Sequence, residues 1–188
     1  MQIGIDLGAT KIESVLLDEN GEESFRERIN CPKNYIQNIN AIKQIVLKLD
    51  GKLNNKINVG VCHPGIHSTH TGLVKNAPNC YWIEKKPLQK DLRESLKREV
   101  YCENDANCFT LSEAIDGSCK NYKIVFGVIL GSGCGGGLVI NKKIQPCMSE
   151  VLMWDKIPEA HMKIRENKHK PGNIAVLVQA KKAGLKTV

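Results

Sequence analysis

No stretch of this chain stays apolar for the ~18 to 20 residues that a membrane span needs. The opening Met1-Gln2-Ile3-Gly4-Ile5-Asp6 lacks the basic region, apolar stretch and small-residue cleavage site of a secretory signal. A membrane partner is not expected, and the cytoplasm is the expected location. There is no Walker G-x-x-x-x-G-K-[ST] motif and no internal repeat at a period of ~20 to 50 residues. Nor is there one C-x-x-C pair, although the chain has eight cysteines: Cys31, Cys62, Cys80, Cys102, Cys108, Cys119, Cys134 and Cys147. Scattered through apolar surroundings, they read as free buried thiols rather than as disulfide staples or zinc ligands.

What is present fits a soluble globular chain. Of 188 residues, 41% are hydrophobic and 25% charged, enough for one large or two small domains with a sizeable core. The net charge of +7 is unevenly spread. Residues 148–188 hold eight Lys/Arg against four Asp/Glu, leaving only +3 for residues 1–147. A solvated basic tail accounts for that asymmetry, and nucleic acid is not an expected partner.

Hydrophobic spacing predicts the elements. Alternation over residues 2–6, then 12–17 and 23–30 with Asp18-Glu19-Asn20-Gly21 as a turn, predicts a β-meander. Ile36, Ile39, Ile42, Ile45, Val46 and Leu49 fall on one helical face that ends near Gly51. A strand over 57–61 is broken by His63-Pro64-Gly65. A short helix carries Leu88, Leu92 and Leu96. A strand at 100–102 runs into Asn104-Asp105, and a helix over 106–115 has Asp105 near its cap. Residues 123–130 are nearly all apolar and read as a strand buried on both faces. A glycine cluster at 131–137 leads into a final strand at 138–140. This order is α/β with two lobes, the break falling near residues 116–122.

Four segments could carry chemistry. Asp6-Leu7-Gly8-Ala9-Thr10-Lys11 joins two strands. Glycine lets backbone amides approach an anion, Thr and Lys add charge-assisted donors, and an acid at a strand end can hold Mg2+ through water. The plainer reading is a turn. Gly131-Ser132-Gly133-Cys134-Gly135-Gly136-Gly137 is either a flexible loop or a backbone against which something presses, such as a second phosphate. Glu103-Asn104-Asp105 sits where a strand meets a helix. It reads as an N-cap, or as a carboxylate offered to a substrate hydroxyl during phosphoryl transfer. Cys62-His63-Pro64-Gly65, with Thr71 to Ala77 behind it, reads mostly as turns. His63 has no accompanying ligand set, and His67 and His70 read as solvated surface.

In this order and spacing, IGIDLGATK, HPG, TGLVKNA, ENDANCF-x-LSEA-x-DG and VFGVILG-S-G-x-GGG resemble the sugar kinases of the ROK family (repressor, open reading frame, kinase), most of all its fructokinases. The resemblance covers Gln2 to Ile144. It implies an actin-like (ribonuclease-H-like) α/β ATPase fold, with a first lobe at 1–118 and part of a second at 119–188. It also implies an ATP-dependent hexose kinase that uses MgATP. Carried over residue by residue, it makes Asp105 the catalytic base and Asn104 a sugar-hydroxyl ligand, with Gly65 and Asn76 lining the sugar pocket. Asp6, Gly8, Ala9, Thr10 and Lys11 would form the first ATP segment, and Gly131, Ser132, Gly133 and Gly135 the second. Ala9 stands where many members have glycine. Glucose, mannose and N-acetylated hexosamines are alternative acceptors. The family's repressors carry a DNA-binding segment ahead of the first strand, for which a strand starting at residue 2 leaves no room.

The resemblance stops after Ile144. The family's G-E-W-G-H-like segment survives only as an echo in Met153-Trp154-Asp155-Lys156-Ile157-Pro158. Losing its Glu and His removes charge-assisted sugar contacts of ~1.5 to 3 kcal/mol each. The zinc knuckle is absent, so no metal residue is assigned. Back-translating Val176 to Thr187 in a shifted frame permits Pro-Cys-x-Gly-Lys-Lys-Gly and then Glu, a piece of that knuckle. The expectation is that residues 145–188 are wholly or partly frame-shifted kinase sequence and that this chain alone is catalytically impaired. A homodimer is expected only with a full second lobe.

Overall fold

Ile3, Ile5 and Leu7 alternate with polar or small neighbours and point to one side of strand β1 (Gln2–Leu7). In the computed structural model of the chain, that strand is the centre of a five-stranded sheet in the order β3-β2-β1-β4-β7. The structure describes residues 1–53, 55–68, 71–130, 134–145, 148–153 and 173–177, with isolated residues at 158, 159, 162 and 166.

Strands β1, β2 (Lys11–Leu17) and β3 (Glu23–Asn30) form the expected antiparallel meander. Helix α1 (Tyr35–Asp50) follows. The Asn34 side chain caps it by accepting from the Gln37 amide, and Gly51 closes it. Its buried stripe is Ile39, Ile42, Ile45, Val46 and Leu49, each contributing about 1.5–3 kcal/mol if fully buried. Ile36 lies off this stripe and is exposed. Next come β4 (Val59–His63), a two-residue ladder of β5 (Ile66–His67) and β6 (Val74–Lys75), and α2 (Leu88–Leu96), which buries its three leucines. Strand β7 (Val100–Asn104) then pairs parallel with β4, as β4 does with β1. Strand pairs joined through a crossover of this kind suit an α/β layer.

Helix α3 (Asp105–Ile115) leads to β8 (Ile124–Leu130), β9 (Cys134–Ile140) and β10 (Lys143–Gln145), a second antiparallel sheet. A small separate core of Ala114, Val125 and Val139 joins α3 to it. Beyond lie β11 (Met148–Met153) and β12 (Asn173–Leu177), paired parallel. The frame-shift expectation and the echo at 153–158 fall mainly outside the described residues. No described helix is long and apolar enough to cross a membrane.

Of the two candidates for the cap of α3, the structure selects Asn104, with Asp105 the first helical residue. Two details differ from the sequence reading. Strand β4 runs through His63 instead of breaking before it. Strand β8 is buried on one face only: Ile124, Phe126, Val128 and Leu130 are 66%, 59%, 47% and 80% exposed. An apolar run does not reveal how many of its faces have a neighbour.

One ion pair is strongly desolvated. The Arg98 side chain, 6% exposed, grips Asp50 at the end of α1 and donates to the Ile57 carbonyl at 3.1 Å. Removing one partner strands the other charge, so Asp50→Ala should cost about 3–5 kcal/mol in denaturant unfolding. A loss below about 1 kcal/mol would mean that water replaces the carboxylate freely.

Candidate active site at the start of α3

Two parallel strands end side by side, and the chain turns from the second directly into a helix. Helix N-termini expose amides that need acceptors, and here one side chain supplies them. Asn104 Oδ1 accepts from the Ala106 and Asn107 amides at 3.0 and 3.2 Å, while its Nδ2 donates to the Gly65 carbonyl at 2.7 Å and to Asp105 Oδ1 at 3.0 Å. All four of its hydrogen-bonding positions are engaged. A sugar contact by Asn104 would have to exchange one of these bonds. Glu103 holds the same corner from behind, its Oε1 accepting from the Asn104 amide at 2.7 Å and from Asn107 Nδ2 at 3.1 Å.

Asp105 follows. Its Oδ1 accepts from the Ala106 amide at 2.8 Å and from Asn104 Nδ2, and its second oxygen has no partner among the described residues. The carboxylate is anchored by one oxygen and offers the other.

Gly65 and Asn76 lie together beside this corner. Gly65 has φ +84°, and a Cβ there would come within 2.5 Å of the Lys75 carbonyl oxygen and 3.0 Å of Asn76. Asn76 itself has φ 57°. Glu84 fixes this turn by accepting from the Asn76 and Ala77 amides at 3.3 and 2.7 Å. The structure therefore brings Gly65, Asn76, Asn104 and Asp105 into one place.

Across the gap stands the β1–β2 hairpin. The Gly8 amide is used by the turn, donating to the Lys11 carbonyl at 2.9 Å, and the Thr10 carbonyl accepts from Cys31 at 2.8 Å. The Ala9 and Thr10 amides are unpartnered among the described residues, and the Thr10 and Lys11 side chains are exposed. Asp6 lies at the strand end opposite Cys62. Partial burial raises its pKa, the Cys62 thiol lowers it by donating at 3.3 Å, and the carboxylates of Asp105 and Glu13 raise it further. Asp6 and Asp105 thus feel each other's charge.

Of the second glycine segment, Gly131, Ser132 and Gly133 lie outside the described residues. Gly135 packs against the first turn of α3, where a Cβ would meet that of Ala106 at 3.2 Å. At Gly137 a Cβ would come within 2.5 Å of both the Ala106 carbonyl oxygen and Thr110 Oγ1. Part of the glycine run therefore answers to helix packing, and through it β9 lies beside Asp105's helix.

His63 is fully buried. Its Nδ1 donates to the Pro64 carbonyl at 2.8 Å, since a carbonyl can only accept, and its Nε2 has no partner. Burial lowers its pKa. Sequence reasoning gave three contributors no role. Glu84, outside the four segments, acts through backbone amides. Glu103 and Cys62 stand within them, but Glu103 holds the Asn104 amide and Asn107 Nδ2, and Cys62 reaches Asp6 only because β1 and β4 pair. Among the described residues, no group of three or more His, Cys, Asp or Glu converges as a metal site.

The ROK family model matches residues 2–149. The N-acetyl-D-glucosamine kinase of Histophilus somni is 41% identical over 175 residues, covering 84% of this chain and 57% of that protein. The enzyme of the same name from Mannheimia succiniciproducens is 43% identical over 145 residues, covering 77% and 47%. Among solved structures, a ROK family glucokinase from Streptomyces griseus, in complex with glucose and AMPPNP, superposes with a TM-score of 0.69 at 28% identity. That match covers 77% of this chain and 46% of the other. The fold is thus the α/β, actin-like one, and the chain spans about half the length of the curated relatives it matches.

The buried histidine makes stability pH-dependent. Its folded pKa is depressed, so the unfolded chain takes up the proton first, below the ordinary value of 6.5. Stability should be fully present above that pH and fall as acid is added, with a slope approaching about 1.4 kcal/mol per pH unit per proton. His63→Ile should flatten that limb in denaturant titrations between pH 7.5 and 5.5, values spanning the ordinary histidine range of about 6.5. An unchanged limb would assign the acid sensitivity elsewhere.

Proposed function

Since the chain belongs to the ROK family, we propose that it carries the acceptor-activating part of an ATP-dependent hexose kinase. Asp105 would take the proton of a sugar hydroxyl as that oxygen attacks the terminal phosphoryl of MgATP. The observation that carries this reading is the Asp105 oxygen that has no partner among the described residues, fixed at the start of α3 within electrostatic reach of Asp6. A base must be held and yet open, and this one is both.

The remaining residues divide the work by position. Gly65 and Asn76, which stand beside this corner, would line the sugar site. The free amides of Ala9 and Thr10, with Lys11, face an anion as backbone amides in a tight turn do, and Gly131, Ser132, Gly133 and Gly135 would line the other side of the nucleotide. Mg2+ fits beside Asp6, whose carboxylate pKa is raised first by partial burial and then by the nearby charge of Asp105. When bound, Mg2+ supplies charge neutralisation of the phosphate oxygens.

Both curated relatives named above are N-acetyl-D-glucosamine kinases, so that sugar leads as acceptor, with glucose next. Fructose, first by motif resemblance, becomes the third to test, and mannose the fourth. Hexose and ATP would be its partners, in the cytoplasm. A second reading, ligand binding without efficient turnover, is supported by the exposed apolar face of β8. Among the described residues, no second layer of the kind that holds such a sheet rigid covers that face.

A coupled ADP-release assay with the four sugars, run beside calorimetry, separates the two readings. Under the first, N-acetyl-D-glucosamine stimulates ADP release, and Asp105→Asn lowers turnover about 10²- to 10⁴-fold while sugar affinity stays within a few-fold. Asn keeps the acceptor for the Ala106 amide, so folding should persist. Sugar heat without turnover would favour the second reading. Full activity in Asp105→Asn would contradict the role of this carboxylate.

A further inference from the structure

Six cysteines are described and all are free thiols. Four lie away from the cavity beside Asp6. Cys31, Cys80 and Cys102 are buried at 8%, 0% and 8% exposure, and Cys119 packs against the small second core with Ser118 beside its thiol. Cys62 and Cys108 are different. Cys62 sits on β4 in register with Asp6 on one side and Glu103 on the other. Cys108 is one turn into α3, three residues beyond Asp105. Both line one open cavity of about 1110 Å³, whose wall from α3 continues through Leu111 and Ser112. The two thiols share that cavity wall on packed elements, β4 and α3, near enough to influence each other, and Cys62 Sγ also donates to Asp6 Oδ1 at 3.3 Å.

We propose that Cys62 and Cys108 form an oxidisable dithiol, a modification site that a hydroperoxide converts reversibly into a disulfide clamping β4 to α3 beside Asp6. The chemistry balances in two steps. One thiol reduces the peroxide O–O bond, becoming a sulfenic acid and releasing an alcohol, or water from hydrogen peroxide. The second thiol attacks that sulfur, the S–S bond forms and water leaves. A later dithiol reductant returns both thiols.

The consequence comes from bond lengths. A disulfide draws its sulfurs to about 2.05 Å, closer than any hydrogen-bonded pair of thiols. Cys62 must therefore swing toward α3, lose its proton and cease to donate to Asp6. The Asp6 carboxylate, carrying one more unmet acceptor, shifts at the position where the proposed function places Mg2+. That effect on Mg2+ rests on the kinase reading, whereas formation of the bridge does not.

The test uses the chain as it is. It is treated with hydrogen peroxide, its remaining thiols are alkylated, and it is digested without reductant for mass spectrometry. The expected product is a peptide pair joined through Cys62 and Cys108, two hydrogen masses lighter than the separate peptides and split by a dithiol. Cys62→Ser and Cys108→Ser should each abolish it. Calorimetry with an MgATP analogue should show affinity about tenfold weaker after oxidation, a shift of about 1.4 kcal/mol, with Cys108→Ser giving the same affinity before and after peroxide. Recovering both cysteines alkylated, or a bridge through Cys102 instead, would overturn the proposal. A Cys62–Cys108 bridge with unchanged nucleotide affinity would overturn its inhibitory part. Absence of nucleotide binding before oxidation would instead count against the kinase reading, with the linked peptide still deciding the bridge.

Discussion

The side-chain amide of Asn104 is the bond on which the site depends. It is a helix cap, an interaction ordinarily worth about 1 kcal/mol, but here it does more than terminate a helix. One end takes two amides of α3, and the other ties the Gly65 carbonyl at the end of β4 to the Asp105 carboxylate. Two separate pieces of chain, the start of α3 and the Gly65 turn, are thereby set against each other by a single planar group. The parallel pairing of β4 and β7, with His63 opposite Asn104, is what makes this reach fit. Without the cap, Asp105 would lose the neighbour that orients its bound oxygen, and the Gly65 turn would lose its link to the helix.

Charge supplies the second constraint. Glu13 is satisfied by Arg26 and Arg28 on the adjacent strand, and this surface network holds the outer edge of the meander. Asp6, one strand in, has no such cation beside it beyond a distant Arg28, and meets Asp105 and a thiol instead. The strands pair Glu13, Glu23 and Glu27 with cations, whereas Asp6 and Asp105 have no ion pair among the described residues, so a cationic or phosphate-bearing ligand changes the energetics most at this end. The hairpin next to it ends in amides that no carbonyl satisfies among the described residues. Geometry and electrostatics therefore select the same end of the sheet.

Much of this was legible in the sequence, and the reasons are specific. The meander follows from strict alternation and a turn of Asp, Asn and Gly, so β3 falls on residues 23–30 as expected. The leucine spacing of α2 sets its ends in the same way. The motif residues Gly65, Asn76, Asn104 and Asp105 lie together, since positive φ and capping are local demands that leave local signatures, and the roles the resemblance implies for them stand as proposals. Properties that depend on a distant neighbour were not legible. A histidine looks like a loop residue until a core closes over it, and β8 looks doubly buried until one of its faces is found bare. The glycine run gave no hint that Ala106 and Thr110 press on it, and nothing in the spacing of Cys62 and Cys108, 46 positions apart, brings them together. Residues 131–133 and most of 154–188 lie outside the described residues, so the expectations placed there stand as proposals.

The most direct measurement is a crystal structure of the chain with N-acetyl-D-glucosamine and a non-hydrolysable MgATP analogue. A sugar hydroxyl is expected within about 3 Å of the free Asp105 oxygen, with phosphate oxygens against the Ala9 and Thr10 amides. Sugar or phosphate bound on another surface, with that oxygen still facing only water, would contradict the assignment of Asp105 as the base.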